Sequence, residues 1–193
     1  MPKVIDETKV FRTVVDMLVS RGYEGATTKD IAEAAGVNEV TLFRKYGSKA
    51  KLFEKSINHQ FSDAPLNKLV YTGDLKADLL AIVEAYMETN EIHGEIIPTL
   101  LADLPRHPEL KSAFDTLLGN IQTLIRIIQE HQSQGALEQE IPLITLNALI
   151  GPMMTSQMFL RANLGLPVLA INAREHVDTF LRMVSANVIP FIF

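Results

Sequence analysis

Residues 40–53, VTLFRKYGSKAKLF, concentrate positive charge beside two aromatic side chains and contain no acid. Guanidinium and ammonium groups clustered in this way attract a polyanion, because they replace its counterions along the backbone. The aromatic rings between them are suited to packing on sugar or to holding one helix against its neighbours. The stretch therefore predicts a surface that binds a phosphate backbone. The residues concerned are Phe43, Arg44, Lys45, Tyr46, Lys49 and Lys51.

The rest of the chain has the opposite balance of charge. The 193 residues carry a net charge of −5. Residues 1–56 hold ten Lys and Arg against eight Asp and Glu, whereas residues 57–193 hold eight against fifteen. This asymmetry predicts that only the N-terminal part meets a polyanion.

Composition restricts the class of protein. Hydrophobic residues make up 47% of the chain and charged residues 21%, which is typical of a folded globular protein. The absence of cysteine excludes disulfides, cysteine–zinc sites and thiol catalysis. The N-terminal run MPKVIDETK has no apolar signal core, so we expect a cytoplasmic protein.

Catalytic and metal-binding patterns are not found in the sequence. The five histidines include no pair at the i, i+4 spacing of a helical metal site, so we expect no metal and no cofactor. There is no G-x-S-x-G, no glycine-rich phosphate loop and no H-E-x-x-H. We therefore expect no enzymatic activity.

A helix, a tight turn and a second helix are predicted to position the basic side chains. Thr27 or Thr28 caps the first helix, and Gly36 permits a left-handed turn. Asn38 then caps the second helix, which ends near Tyr46. This arrangement leaves the second helix free to present its N-terminal turn to a groove of a duplex.

The outward side chains of the second helix are of types that suit DNA. Arginine can bond two acceptors of guanine, asparagine can pair with adenine, and threonine offers a hydroxyl or a methyl group. Glu39 is an acid pointed toward a polyanion, so it either accepts from a cytosine amine or lies back as a partner of the helix dipole. The predicted reading residues are Asn38, Glu39, Thr41, Arg44 and Lys45.

The run TTKDIAEAAGVNEVTLFRKYGSKAKLF resembles the DNA-binding segment of the tetracycline-repressor (TetR) family of bacterial regulators. The resemblance covers about residues 8–56 and depends on the order and spacing of several short motifs. These are the paired threonines, IAEAAGV, a polar cap, TLF, an aromatic residue, GSK and LF. It implies a homodimer on a near-palindromic operator and phosphate contacts from Thr28 and Lys49. The DNA-binding residues so predicted are Thr28, Lys29, Asn38, Glu39, Thr41, Phe43, Arg44, Lys45 and Lys49.

Two departures from the family pattern change the expected contacts. The family often has tyrosine where this chain has Phe43, so one hydroxyl contact with a phosphate is missing. Before Lys9 only Lys3 is basic, against Asp6 and Glu7, so a basic arm in the minor groove is not expected.

Apolar residues recur at helical spacing through the remaining chain, and no long alternating strand pattern is found. We therefore predict an all-α fold: a three-helix DNA-binding domain over 1–56 and a helical ligand-binding and dimerisation bundle over 57–193. The predicted helices of the second part are 75–92, 96–103, 108–134, 142–164 and 172–189.

The resemblance further implies a small-molecule effector bound by the C-terminal part. Methionine and aromatic side chains are typical of core or dimer packing, and an apolar pocket is the alternative explanation for them. Glu84, Glu88 and Glu91 share one helix face, which is either a solvated acidic face or a site for a cationic ligand. The pocket residues predicted are Met87, Leu101, Phe114, Met154 and Met158.

The last two predicted helices carry the expected dimer interface. Residues 141–160 have no charge and approach the length of a membrane span, but polar residues within them favour a helix buried in protein, between subunits. The chain ends VIPFIF, which suits burial rather than water. The interface residues predicted are Phe159, Val177, Phe180, Leu181, Val184 and Val188.

These observations predict a one-component transcriptional regulator, a repressor that a small molecule releases from its operator. Two other classes remain open at this point, namely a small all-α enzyme and a protein-binding adaptor with an apolar pocket. The operator, the effector and the sign of regulation do not follow from the sequence.

Overall fold

The computed structural model describes residues 5–163, 165 and 171–185, and within these ranges it contains helices and no strand. The all-α prediction is confirmed. Two short 3-10 helices, Pro65–Lys68 and Pro108–Phe114, accompany the α-helices. The α-helices are α1 Glu7–Gly25, α2 Thr28–Ala35, α3 Glu39–Tyr46, α4 Lys49–Ser62, α5 Leu75–His93, α6 Ile96–Asp103, α7 Asp115–Ser133, α8 Pro142–Arg161 and α9 Ala173–Ser185.

The predicted helices match these elements closely, with one exception. The sequence predicts one helix over 108–134, whereas the structure has the 3-10 helix Pro108–Phe114 followed by α7. The three-residue repeat of the 3-10 turn places Leu110 and Ala113 on one buried edge. Residues 186–189 of the last predicted helix lie outside the described residues.

The chain divides into two compact units, and each unit is formed by two stretches that are separate in the sequence. The first unit joins the chain up to Ala64 with Asn90–Gly119, and the second joins Pro65–Thr89 with the described chain from Asn120. The sequence predicts two consecutive parts, whereas in the structure residues 90–119 return to the first unit. The functional boundary at residue 56 stays a prediction.

The first unit is built around the apolar stripe of α1. Val10, Val14 and Leu18 are each 0% exposed and follow one another at intervals of four. They belong to one core with Phe53 and Ile57 of α4, which are also buried. Burial of such side chains stabilises the helices that carry the basic segment.

The second unit packs α5, α7, α8 and α9 around one apolar core. A buried ion pair lies at one end of it, where His131 Nε2 of α7 is 2.8 Å from Asp78 Oδ2 of α5. Both side chains are 1% exposed. The backbone N–H and hydroxyl of Thr72 also donate to the Asp78 carboxylate. The pair therefore holds the start of α5, the preceding loop and the end of α7 together.

A break within α1 connects it to α6. Gly22 has φ 70° and ψ 174°, a backbone conformation that is essentially restricted to glycine. This break directs the N–H of Tyr23 toward α6, where it donates to Asp103 Oδ2 at 2.7 Å. Asp103 is 9% exposed, so the bond is shielded from water.

We expect Gly22→Ala to destabilise the protein by about 1–3 kcal/mol, because alanine is strained in this conformation. Its Cβ would also lie 3.3 Å from Asp103 Oδ2. Urea unfolding followed by circular dichroism measures the change. The matched control is Gly119→Ala in α7, where an added Cβ meets nothing within 4 Å. That control should stabilise by about 0.5–1 kcal/mol, and equal effects at the two positions would contradict the explanation.

Helix α8 leaves much of its apolar surface uncovered. It is the one described helix long and apolar enough to cross a membrane, and 28% of its most apolar window is buried. Length and composition alone are weak evidence for a span, because core helices of soluble proteins pass the same test. The exposed apolar side chains of α8 are Leu143, Ile144, Met154, Met158, Phe159 and Leu160.

Candidate nucleic-acid interface

The turn between α2 and α3 has the geometry that the sequence predicts. The Thr27 hydroxyl accepts from the N–H of Asp30 at 3.1 Å and caps α2. Gly36 is left-handed, with φ 72° and ψ 34°, and ends that helix. Asn38 Oδ1 then accepts from the N–H of Val40 at 2.8 Å and caps α3. Local polar bonds therefore fix where each helix begins and ends.

The inner faces of α2 and α3 hold the two helices in one core. Ile31 and Ala35 of α2 are buried, as are Leu42 and Tyr46 of α3. The ring of Tyr46 lies 6.0 Å from that of Phe11 in α1. Since packing occupies this face, the opposite face of α3 is the one presented outward.

The outer face of α3 combines exposed polar and apolar groups. Asn38, Arg44 and Lys45 are exposed, and Thr41 is half-buried. Val40 is 73% exposed and Phe43 45% exposed. Val40 is not among the residues that the sequence predicts to read bases, although its position two residues after the Asn38 cap indicates an outward side chain. An exposed valine there can contact the methyl group of thymine.

Glu39 bonds to the first residue of the preceding helix. The hydroxyl of Thr28 donates to Glu39 Oε1 at 2.6 Å and joins the start of α2 to the start of α3. Glu39 is half-buried and lies in the first turn of α3, where the helix dipole favours an acid. Of the two roles expected for Glu39, this contact favours the structural one. It also occupies the hydroxyl of Thr28, which the resemblance assigns to a phosphate.

We expect Glu39→Gln to leave base preference unchanged and to lower stability by about 0.3–1 kcal/mol, because the helix start loses its negative charge. Removing an acid beside a polyanion should also strengthen binding to DNA of any sequence. Binding to every single-base variant of a selected operator measures the preference. A change confined to one position of each half-site would show instead that Glu39 reads a base.

Lys45 is paired within the chain. Its Nζ lies 2.5 Å from Oε1 of Glu7 in the first turn of α1, and both side chains are nearly half exposed. This contact lowers the pKa of the Glu7 carboxyl. Burial and the neighbouring Glu7 together raise the pKa of Tyr46 to about 12. A phosphate would compete with Glu7 for Lys45, since exposed ion pairs are weak.

Lys49 lies against α1 rather than extending into solvent. Its Nζ is 4.4 Å from the centre of the Tyr23 ring and 3.3 Å from the carbonyl oxygen of Glu24. Partial burial lowers the pKa of this ammonium group. Lys29, by contrast, is exposed at the start of α2. Lys49 would therefore have to leave its packed position against α1 before it could contact a phosphate.

The comparisons with known proteins agree with this geometry. Residues 14–55 match the family model described as bacterial regulatory proteins, tetR family. Over 105 residues the chain is 32% identical to the HTH-type transcriptional regulator YvkB of Bacillus subtilis. The segment that contains the helix-turn-helix is therefore similar to the TetR family of bacterial regulators.

A second relative matches this chain over a longer segment. The chain is 27% identical over 133 residues to the nucleoid occlusion factor SlmA of Shewanella frigidimarina. The matched segments span 56% of YvkB and 67% of SlmA. YvkB is described as a transcriptional regulator, which favours the regulator prediction over the enzyme alternative.

Solved structures share the fold over nearly the whole chain. A TetR-family regulator from Shewanella sp. PV-4 has a TM-score of 0.65 at 21% identity, covering 93% of this chain and 96% of its own. The TetR-family regulator PfmR from Thermus thermophilus has a TM-score of 0.63 at 16% identity, covering 94% and 99%. At these identities the likeness concerns the fold.

The residues predicted for a TetR-type effector pocket are divided between the two units. In the first unit Phe114 is buried in the core, and Leu101 is 54% exposed. In the second unit Met87 packs beside the core, while Met154 and Met158 are 43% and 59% exposed. The second unit also has a surface cavity of about 270 Å³, lined by Leu69, Val70, Tyr71, Thr123, Arg126, Ile127 and Glu130.

The acidic face predicted on α5 is exposed. Glu84, Glu88 and Glu91 are all exposed to solvent. Such a position is typical of a solvated acidic face. No group of acidic residues and histidines with metal-site geometry occurs within the described ranges.

The residues predicted for a TetR-type dimer interface differ from one another in how exposed they are. Val177 and Phe180 are 0% and 1% exposed, so their apolar surface is already covered by their own subunit. Leu181 and Val184 are partly buried against the same core. Phe159 is 42% exposed, and Val188 lies outside the described residues. Direct contact with a second subunit is therefore available at Phe159 rather than at Val177 or Phe180.

Proposed function

We propose that this chain is a transcriptional repressor that binds a near-palindromic DNA operator as a homodimer and is released by a small-molecule effector. The observation that carries the proposal is the outer face of α3. It presents Val40, Phe43 and Arg44 to solvent while the inner face is buried. A helix held in this way can enter the major groove with its side chains toward the base edges.

The charge of the N-terminal part supports binding to DNA. Residues 40–53 contain four basic side chains and no acid. Of these, Arg44 is exposed, Lys45 is paired with Glu7, and Lys51 is paired with Glu54. The pair with Glu7 is exposed enough for a phosphate to compete for Lys45.

The exposed face of α8 supports the homodimer. Met158 is 59% exposed and Leu160 52% exposed, beside Phe159. A contiguous apolar face of this kind is typical of a protein–protein contact. In a dimer with two-fold symmetry the same face would meet its copy, and the two α3 helices would lie about 34 Å apart, one turn of DNA.

Release by an effector requires two states of the dimer with different operator affinity. A ligand that prefers the non-binding state by about 1–3 kcal/mol lowers DNA affinity by roughly 5- to 150-fold. The apolar core of the second unit and its buried polar groups are compatible with such a ligand.

Selection of bound DNA from a random pool tests the proposal. We expect enrichment of a near-palindrome whose half-sites lie about 10 base pairs apart, with affinity that falls steeply as salt rises. The control is Arg44→Ala, which should not enrich the same site to the same degree. If no palindrome is enriched at moderate salt, the regulator proposal fails, and the adaptor alternative is then favoured.

A further inference from the structure

The surface cavity of the second unit combines charged and apolar side chains. Its volume is about 270 Å³, and its walls come from α7 and from the segment 69–71, which precedes α5. Arg126, Ile127 and Glu130 of α7 all line it. Sites for drug-sized ligands usually have about 300–1,000 Å³, so this cavity suits a smaller molecule.

The segment 69–71 is fixed by contacts within its own unit. The ring of Tyr71 packs edge-on against that of His131, with centres 4.8 Å apart. The next residue, Thr72, donates from its backbone N–H and its hydroxyl to the carboxylate of Asp78. Leu69 packs against the apolar core. Since these contacts need no ligand, the cavity is formed before any ligand binds, as is usual for small-molecule sites.

Arg126 and Glu130 carry opposite charges and lie about one turn apart on α7. Both side chains are exposed. Within the described residues the Arg126 guanidinium makes one hydrogen bond, a long one of 3.4 Å to the Thr123 hydroxyl, and the Glu130 carboxylate makes none. A base that precedes an acid by four residues is the weaker order for an ion pair on a helix. Both groups therefore keep most of their bonding capacity for another molecule.

Apolar side chains line the same cavity beside the two charges. Ile127 is 3% exposed, Leu69 is partly buried, and Val70 is 71% exposed. An apolar group that covered Val70 would remove its surface from water, which favours binding. The cavity therefore offers an apolar contact as well as two charges.

The chemistry of these groups specifies a complementary ligand. The planar fork of a guanidinium matches a carboxylate, and the carboxylate of Glu130 accepts from an ammonium group. The Cβ atoms of residues four apart on a helix are only about 5–6 Å apart, so the two charges of the ligand must be close together. An α-amino acid with an apolar side chain has both charges at this spacing and an apolar group beside them.

We propose that this cavity binds a free α-amino acid with an apolar side chain. The carboxylate of the ligand would bond to Arg126, its ammonium group would bond to Glu130, and its side chain would cover Leu69 and Val70. None of these residues belongs to the DNA-reading face of α3 or to the exposed apolar face of α8. The site is therefore additional to the proposed function and does not depend on it.

Three matched probes test the site by titration calorimetry. Leucine carries both charges, 4-methylpentanoate lacks the ammonium group, and 3-methylbutylamine lacks the carboxylate, while all three keep the same apolar group. We expect leucine to bind the wild type about fivefold more tightly than either analogue, because each analogue loses one charged contact. The proposal is overturned if leucine does not bind, or if its dissociation constant lies within about twofold of that of either analogue.

Two variants assign the contacts to their side chains. Arg126→Gln should weaken the binding of leucine and 4-methylpentanoate about fivefold and should not weaken that of 3-methylbutylamine. Glu130→Gln should weaken leucine and 3-methylbutylamine and should not weaken 4-methylpentanoate. The control is Glu84→Gln, which removes an exposed acid from α5 of the same unit and should change none of the three. An equal loss for all three probes, or an equal effect of the control, would contradict the proposed contacts.

The DNA selection described above is independent of these titrations. Leucine binding that depends on Arg126 and Glu130, without an enriched operator, would remove the regulator proposal and leave the site. An enriched operator without leucine binding would do the reverse.

Discussion

Replacing His131 by alanine should destabilise the protein by about 3–5 kcal/mol, the largest effect that we expect from a single substitution. The reason is that the Asp78 carboxylate, 1% exposed, would keep its charge without the imidazole at 2.8 Å. The remaining donors are the hydroxyl and N–H of Thr72, which belong to one neighbouring residue. The free energy of unfolding in urea at pH 7 measures the loss.

The double variant Asp78→Asn, His131→Ala is the control for a buried charge. Because it removes the unpaired carboxylate, it should recover part of the stability that His131→Ala loses. His59→Ala serves as a second control, because His59 is exposed and contacts the ring of Phe11 instead of an acid. If His131→Ala and His59→Ala lower the free energy of unfolding by the same amount, the buried charge of Asp78 is not the cause of the loss.

The pH dependence of unfolding checks the same ion pair. Burial alone would raise the pKa of Asp78, but bonds from Thr72 and His131 outweigh it and hold the pKa below its ordinary value of 3.8. A carboxyl with a depressed folded pKa contributes stability above its unfolded value, and this contribution is lost as the pH falls through the folded pKa. The wild type should therefore lose stability below about pH 4 more steeply than Asp78→Asn.

Short-range signals made the helix-turn-helix predictable from the sequence. Thr27 and Asn38 cap their helices through bonds to residues two or three positions away, and Gly36 adopts the left-handed turn by itself. Each of these contacts depends on a few adjacent residues, so residue type and spacing are sufficient to anticipate it.

Contacts between distant residues were not predictable in the same way. The bond from Tyr23 to Asp103 joins residues 80 positions apart, and it explains why Gly22 interrupts α1. The family resemblance implies that Lys49 contacts a phosphate, but the fold places its ammonium group over the ring of Tyr23. A sequence pattern records the type of a side chain, whereas these partners depend on how separate helices pack.

Helix α3 of the candidate interface has one feature that the sequence predicts and one that it does not. The exposure of Arg44 on α3 follows from helical periodicity once Leu42 and Tyr46 are placed inside. The bond between Glu39 and Thr28 requires in addition the angle between α2 and α3, which the turn sets. The sequence could therefore name the face of α3 but could not decide between the roles of Glu39.

Arg44→Ala should weaken operator binding by about 1–3 kcal/mol, roughly five- to 150-fold, because an arginine fork on guanine is the strongest base contact open to α3. The side chain is exposed on the outer face of α3, so its removal leaves the core of the first unit intact. Affinity for the selected operator, measured by fluorescence anisotropy across a range of salt concentrations, gives both the loss and its salt dependence. The unfolding free energy should stay within about 0.5 kcal/mol of the wild type.

Two further variants decide how Arg44 acts. Arg126→Ala removes the same charge from an exposed position on α7 and should leave operator affinity within about twofold. Arg44→Lys keeps the charge but loses the two-pronged geometry that matches guanine. If Arg44 reads a base, the lysine variant keeps the salt dependence and loses preference at one position of each half-site. If it contacts only phosphate, the lysine variant binds like the wild type, and specificity must come from the other outward residues of α3, with Val40 the first to test.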